Sequence, residues 1–309
     1  MEFNHKPVML WECIEELKIK PNNIYVDGTL GGAGHSREIA RRLSNKGLLI
    51  GIDKDEDAIR AAKNNLKEYG NIRYVYGNHD NIKELLINEN IKKVDGVLLD
   101  LGVSSYQLDE RNRGFSYLGS AILDMRMDKS QELTAEKIVN SYTEEELVKI
   151  LFEYGEEKYS KIIAKNICNQ RQEKPIRTTE ELVRIIENSI PKSKQKDGHP
   201  AKRTFQALRI EVNDELRPLY NTVRNCIDCL NVGGRLCIIT FHSLEDRIVK
   251  KAYVDAQGKC TCPSDLPYCV CNFKSFGQVV TRKPIIASKD EIRENSRAKS
   301  AKLRVFERV

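Results

Sequence analysis

Within its first hundred residues the chain alternates short apolar runs with amphipathic stretches, and that alternation leaves few folds open. Ile24-Tyr25-Val26-Asp27 leads into a glycine-rich turn and then the amphipathic stretch Arg37 to Leu43. Leu48-Leu49-Ile50-Gly51-Ile52-Asp53 precedes a helical pattern over Asp57 to Glu68, and Ile72 to Tyr76 and Gly96 to Asp100 are two further runs of strand length. Unbroken apolar runs suit strands buried on both faces, as in a parallel sheet covered by helices. Alternating β and α units therefore predict an α/β fold with an open, doubly wound, mostly parallel sheet.

The next central strand, Arg235 to Phe241, follows the turn Asn231-Val232-Gly233-Gly234 and lies well over a hundred residues beyond Asp100. A crossover needs only about a dozen residues. The excess implies an inserted helical subdomain, with candidate helices over Thr134 to Ser141, Thr143 to Tyr154, Tyr159 to Gln172 and Thr179 to Ser189, punctuated by Pro175, Pro191 and Pro200. The expected division is residues 1–107 and 213–309 for the two parts of the core and 108–212 for the insert. Leu244 to Ala256 reads as a helix, and Gln278 to Thr281 and Leu303 to Glu307 as strands closing the sheet edge.

Composition narrows the setting. With 40% hydrophobic and 31% charged residues the chain is an ordinary globular protein. No apolar run approaches the roughly 20 residues that span a bilayer, and Met1 to His5 lacks the pattern of a secretory signal. Nine cysteines, an odd number with scattered spacing, fit reduced thiols better than a disulfide framework. A cytoplasmic protein with no membrane partner is the expectation. Lys158 to Arg209 holds 13 Lys/Arg against 5 Asp/Glu, a local +8 that exceeds the +6 of the whole chain. Such a segment is either a solvated helical surface or the footprint of a phosphate backbone.

The turn Asp27-Gly28-Thr29-Leu30-Gly31-Gly32-Ala33-Gly34-His35-Ser36 sits between a strand and a helix, where glycines permit close backbone approach to a ligand and a helix start offers free N–H groups. Gly32-Ala33-Gly34-His35-Ser36-Arg37 lacks the third glycine of the dinucleotide fingerprint. No Gly-Lys-Ser/Thr follows, which excludes a P-loop. Asp53 ends the second strand, where an acidic side chain accepts both ribose hydroxyls of an adenosine, or else caps the next helix. Asp27, Asp53 and Asp100 all end strands and would converge on one crevice. An acidic crevice suits a cationic sulfonium better than a pyrophosphate, which favours S-adenosylmethionine over NAD.

The sequence resembles the bacterial ribosomal RNA small subunit methyltransferase H (MraW) family over essentially its whole length. The blocks that carry the resemblance are His5 to Leu10, Asp27 to Ser36, Asp95 to Tyr117, Leu123-Asp124-Met125-Arg126-Met127-Asp128, Tyr154-Gly155-Glu156-Glu157, Arg203 to Ile210, Phe241-His242-Ser243-Leu244-Glu245-Asp246-Arg247 and the basic stretch Asn295 to Arg304. It implies a class I, Rossmann-like methyltransferase with a helical insert that recognises substrate, acting on the exocyclic N4 of one cytidine in the decoding region of 16S ribosomal RNA. It also implies cofactor contacts at Ala33, Gly34, His35, Asp53, His79, Asp100 and Gln107. His79, in the Gly77-Asn78-His79-Asp80 turn, stands where the family often carries an aromatic ring, and an imidazole can stack on adenine.

For the chemistry, the cytosine amine is a poor nucleophile, and an acceptor must take one N–H from a base turned out of its stack. Asp100-Leu101-Gly102-Val103-Ser104-Ser105 departs from the Pro-Pro-aromatic signature of DNA methyltransferases acting on the same amine. The acceptor stays open between Asp100, preferred, and Asp109. His242 is a substrate-side catalytic candidate, or a structural hydrogen-bonding group. Ser243 reads as an N-cap with Asp246 completing a capping box. Lys202, Arg203, Arg209, Arg297, Lys299, Lys302 and Arg304 are candidates for phosphate contacts, which makes the basic insert an RNA surface under this resemblance. Cys260, Cys262, Cys269 and Cys271 read as free thiols, with structural zinc the alternative; no catalytic metal is expected. A non-catalytic RNA-binding factor, an enzyme acting on a small molecule or protein, and an NAD oxidoreductase are the rival readings. The oligomeric state is open between monomer and homodimer.

Overall fold

The structure is a computed structural model that describes residues 7–103, 111–195, 198–259, 262, 268 and 274–309. It contains two compact units. One comprises the chain up to Gly102 and from Leu216 onward; the other is Val103 to Glu215.

The first unit is built on one sheet. Its strands are β1 (Ile24–Asp27), β2 (Leu48–Asp53), β3 (Ile72–Tyr76), β4 (Val94–Asp100), β5 (Leu230–Thr240), β6 (Gly277–Val279), β7 (Ile285–Ile286) and β8 (Lys302–Arg308). The order is β3-β2-β1-β4-β5-β8-β6, with β7 also paired to β8. The first five strands run parallel, and β8 is antiparallel to β5. β6 and β7 both pair antiparallel to the outer edge of β8, one against Phe306 to Arg308 and the other against Lys302 and Leu303. They are two pieces of one interrupted edge strand. The β3-β2-β1-β4-β5 order reverses between β1 and β4, the switch point beside which doubly wound sheets bind ligands in a crevice at the carboxyl ends of their strands. The antiparallel β8, wedged between β5 and β6, separates this sheet from the all-parallel dinucleotide fold.

The central strands are as apolar as parallel pairing requires: Tyr25, Leu49, Ile50, Leu98 and Ile239 are all buried. The turn expected before the fifth strand lies inside it. Leu230 pairs Val94 and Arg235 pairs Gly96, so Asn231 to Gly234 form an irregularity within β5. Gly233, at φ 79°, supplies the left-handed residue that this excursion needs. Helices at Leu10–Leu17, Ile82–Asn88 and Leu219–Cys229 join those expected, and the last supplies the crossover into β5.

The second unit is helical, with helices at Ala135–Ser141, Glu144–Glu153, Ser160–Glu173, Thr179–Ser189 and Lys202–Asn213. Its core gathers Leu123, Met125, Ile138, Leu147, Ile163, Leu182, Phe205 and Leu208. Thr143 and Thr178 cap their helices in reciprocal boxes with Glu146 and Glu181. No helix among the described residues is long and apolar enough to cross a membrane.

Candidate active site

The crevice is assembled from the residues that end β1, β2, β4 and β5. Asp27 is buried; its carboxylate accepts from the Ser36 hydroxyl at 2.6 Å and from the Thr29 N–H at 3.2 Å. Burial pushes its pKa up against those bonds. Between them the turn approaches the sheet closely. A Cβ on Gly28 would lie 2.4 Å from Leu99 Cδ2, and one on Gly34 would lie 2.2 Å from Pro7 Cγ, so neither position accepts a side chain unless its neighbour moves. Ala33 lies in the left-handed region at φ 64°, a conformation that costs a non-glycine residue energy and reverses the chain into the helix at Gly34–Ala40.

Asp53 points back across the turn, where Oδ2 accepts from the Gly31 N–H at 2.8 Å and Oδ1 from the Asp55 N–H at 2.9 Å. The cap of the following helix is Asp55, which accepts from the Asp57 N–H, so Asp53 is not a helix cap. Burial outweighs the two N–H bonds and pushes Asp53 up to about 6. His79 opens the turn after β3, and its Cβ lies 3.3 Å from the position a Cβ on Gly28 would take. Burial pulls its pKa down, with Asp80 opposing.

Asp100 is held by its backbone, which donates to the Thr29 hydroxyl at 2.6 Å. Its carboxyl Oδ1 is buried without a hydrogen-bond partner among the described residues. Burial first, then the charges of Asp27 and Glu245, push Asp100 up to about 8. His35 donates from Nε2 to the Val8 carbonyl at 3.0 Å, and its Nδ1 stands 3.9 Å from Asp100 Oδ2, too far for a hydrogen bond.

On the neighbouring strand, Leu101 N–H donates to Ile239 O at 3.1 Å, and the chain then runs through Phe241 into the helix Ser243–Gln257. The cap of this helix is His242, one residue earlier than expected. Glu245, not Asp246, reaches back: its Oε2 accepts from the Phe241 N–H at 2.8 Å and the His242 N–H at 3.3 Å. Asp246 is committed elsewhere, to Arg304 at 2.5 and 3.1 Å and Lys302 at 3.3 Å. Arg304 is therefore buried in an ion pair and is not placed for phosphate. Arg209 likewise makes a two-point bond to Glu215, at 2.8 Å each.

The structure thus brings Ala33, Gly34, His35, Asp53, His79, Asp100 and His242 into the strand-end region of one unit. Gln107 and Asp109 lie outside the described residues, as do Ser104, Ser105, Cys260, Cys269 and Cys271. Cys262 is half-buried, and the described residues contain no cluster of metal-ligating side chains. Thr29, Ser36 and Glu245 escaped sequence reasoning. Glu245 alone left a signal, at the third residue past a helix-capping position.

The Asp100 carboxyl, with Oδ1 orphaned among the described residues, and two more carboxyls raised by burial make a strand-end site that favours positive charge, and the turn leaves no room for side chains at Gly28 and Gly34. This donor set fits the sulfonium and ribose of S-adenosylmethionine. Fold and crevice together define a Rossmann-like methyltransferase. The chain belongs to the MraW methylase family, whose model matches residues 2–309. It is 57% identical to the ribosomal RNA small subunit methyltransferase H of Lachnospira eligens, over 100% of this chain and 99% of that protein. With the protein of the same description from Clostridioides difficile it shares 54% identity over the full length of both. Among solved structures it is similar to NSun6 from Pyrococcus horikoshii, with TM-score 0.46 and 15% identity, covering 98% of this chain and 52% of that one. An rRNA methylase from Streptococcus thermophilus gives TM-score 0.41 and 11% identity, with 99% of each chain covered.

Proposed function

We propose that the protein is a cytoplasmic S-adenosylmethionine-dependent methyltransferase that modifies the exocyclic N4 of a cytidine in the decoding region of 16S ribosomal RNA. Full-length identity to proteins described as ribosomal RNA small subunit methyltransferase H supports the substrate. The observation that carries the chemistry is Asp100, a partly exposed carboxyl at the switch point of the sheet whose Oδ1 is buried without a hydrogen-bond partner among the described residues.

When bound, S-adenosylmethionine supplies an electrophilic methyl whose C–S bond breaks, sulfur keeping the pair, as the C–N4 bond forms. Ala33 and Gly34 form the turn against which it lies, Asp53 receives the ribose hydroxyls, and His79 flanks the adenine. His35 holds the N-terminal segment to the turn through Val8 and belongs to the same contact set, with Gln107. Asp100 is the preferred acceptor for the N4 proton, and Asp109 the second candidate. Burial pushes this carboxyl up to about 8, which keeps it mostly protonated near neutral pH, and the cationic sulfonium would favour the ionised form that can take the N4 proton. His242 contributes from the substrate side.

The helical unit serves as the RNA-recognition subdomain in this reading, with residues 108–212 as its span and the flanking segments 1–107 and 213–309 as the catalytic core. Lys202 and Arg203 are exposed, the Arg203 guanidinium resting 3.2 Å from the Glu156 carbonyl, and both remain available to phosphates. Mass spectrometry of small-subunit RNA from cells lacking the protein tests the assignment. Loss of one methyl from the decoding-region cytidine is expected, and an unchanged N4-methylcytidine refutes it.

A further inference from the structure

Three rings climb out of the core of the helical unit toward its surface. Phe205, buried in the first turn of the helix Lys202–Asn213, meets Tyr117 edge-on, with centroids 5.9 Å apart and planes at 88°. Tyr117 packs against that core and stacks in turn on His199, at 4.4 Å and 24°. Both outer rings are half-buried. His199 is held by its own turn: Nδ1 accepts from the Ala201 N–H at 3.2 Å, and its carbonyl accepts from the Lys202 N–H at 3.1 Å. The chain beside the two rings faces open space. A Cβ on Gly198, next to His199, or on Gly119, two residues past Tyr117, would meet no described atom within 4 Å. Lys202 and Arg203 begin the helix that follows and are exposed, within the stretch Lys158 to Arg209 where 13 cations outnumber 5 acids.

We infer that the Tyr117–His199 stack is a base-stacking platform for an unpaired nucleotide of the RNA substrate, with Lys202 and Arg203 taking the adjoining phosphates. The inference rests on the RNA reading above and adds a base contact to the phosphate contacts of the helical unit. A staple that only closed the loop would be served by aliphatic contacts hidden in the core. A flat ring pair, fixed in advance by the Ala201 N–H and left half in water before two cations, matches what a single strand offers: the face of a base and the phosphate next to it. A ring already held in place also loses little freedom on binding. The two kinds of contact differ in signature. Each phosphate contact releases counterions and steepens the fall of affinity with salt, whereas a stack adds affinity without that dependence. A stack also accepts any base, so the platform holds the strand without selecting its sequence.

Oligocytidylate RNA is the probe. His199→Ala is expected to weaken binding about 5- to 150-fold, the range that loss of one base–aromatic stack gives, with the slope of log affinity against log salt unchanged. His199→Phe restores a ring, though not the bond to Ala201, and is expected to recover most of the loss. In single-turnover methyl transfer to small subunits, His199→Ala is expected to need more substrate for half-saturation while the rate at saturation stays within about twofold of the wild type, because the contact is made equally before and during transfer. Ultraviolet crosslinking of the wild-type protein to the same RNA gives a readout that needs no variant. Adducts are expected on the peptides that carry Tyr117 or His199.

Adducts confined to other peptides overturn the proposal whether or not any variant folds. So does an undiminished affinity in His199→Ala, or a loss that His199→Phe does not relieve. A loss accompanied by a shallower salt slope overturns it as well, since His199 would then serve only to support Lys202 and Arg203. A slower transfer at saturating subunits does the same, because the stack would then hold the reacting base. If crosslinks and affinities come out as expected in a protein whose removal from cells leaves N4-methylcytidine unchanged, the cytidine assignment fails and the platform stands as an RNA contact.

Discussion

The raised pKa of Asp100 makes the charge of the cofactor measurable as a pH dependence. Without cofactor the carboxyl titrates at about 8. The cationic sulfonium favours its ionised form, whereas S-adenosylhomocysteine, a neutral thioether with the same ribose and adenine, does not. If the sulfonium requires the carboxylate, apparent affinity follows the ionised fraction, which is about 1% at pH 6 and about 90% at pH 9 for such a group. S-adenosylmethionine should therefore bind about 90-fold more tightly at pH 9 than at pH 6. A screened site, with a quarter of the Asp100 side chain reaching solvent, would reduce this to about 10–30-fold. Asp53, pushed up to about 6, also titrates in this range, but in the proposed reading it would meet the ribose that both ligands share. The ratio of the two affinities therefore isolates Asp100. Isothermal titration calorimetry in buffers of different ionisation enthalpy gives that ratio and the proton released on binding. The methyl donor should release up to one proton near pH 7 and the thioether fewer, and Asp100→Asn should abolish the difference. A flat affinity ratio from pH 6 to 9 in the wild type would refute the argument.

Three further outcomes are expected. The unliganded protein holds the Asp100 proton to higher pH than the unfolded chain does, so this group costs stability as pH rises from about 4 to 8. Asp100→Asn should raise stability at pH 8 by roughly 2–3 kcal/mol and flatten that pH slope, as read by urea denaturation; a less stable variant would contradict this. Burial alone would raise the Asp246 carboxyl, but Arg304 and Lys302 hold it below its ordinary range. Its contribution is thus present above about pH 4 and lost in more acid solution, and Arg304→Ala should cost about 2 kcal/mol at pH 7 by leaving a partly buried charge half-paired. A loss under about 1 kcal/mol would place the pair among ordinary surface bridges. Replacing both Lys202 and Arg203 by Ala should lower the slope of log affinity for single-stranded RNA against log salt by roughly 1.4, about 0.7 for each phosphate no longer neutralised. An unchanged slope would remove them from the RNA surface.

The central sheet was legible because its information is local. Each apolar run of β1 to β5 ends in a polar residue at the carboxyl edge, and a parallel sheet brings those edges together whatever the loops do. The helices Leu10–Leu17 and Leu219–Cys229 went unread because neither starts behind a polar capping side chain. The first starts behind Met9 in a left-handed conformation with no capping side chain, and the second lacks a polar cap because Pro218 precedes it. The division of labour between Glu245 and Asp246 was invisible because adjacent carboxylates look alike in sequence. Only the pairing of β8 to β5 brings Arg304 to Asp246 and leaves Glu245 to His242. The same applies to the cations: Arg209 and Arg304 read as phosphate ligands until their internal partners are seen.

The place of β8 in the sheet has a consequence for biogenesis. Translation delivers the helical unit whole, since Val103 to Glu215 is one uninterrupted stretch. The catalytic unit is delivered in two instalments, and its sixth position is filled by the strand synthesised after every other. Until Lys302 to Arg308 emerge, β5 has an unpaired edge, β6 and β7 have nothing to join, and Asp246 is a partly buried charge without its cations. A nascent chain can thus mature its helical unit during synthesis, yet it must wait for β8 to complete the sheet. Ribosome stalling within that last stretch would yield a chain with a folded insert and an exposed, aggregation-prone strand edge.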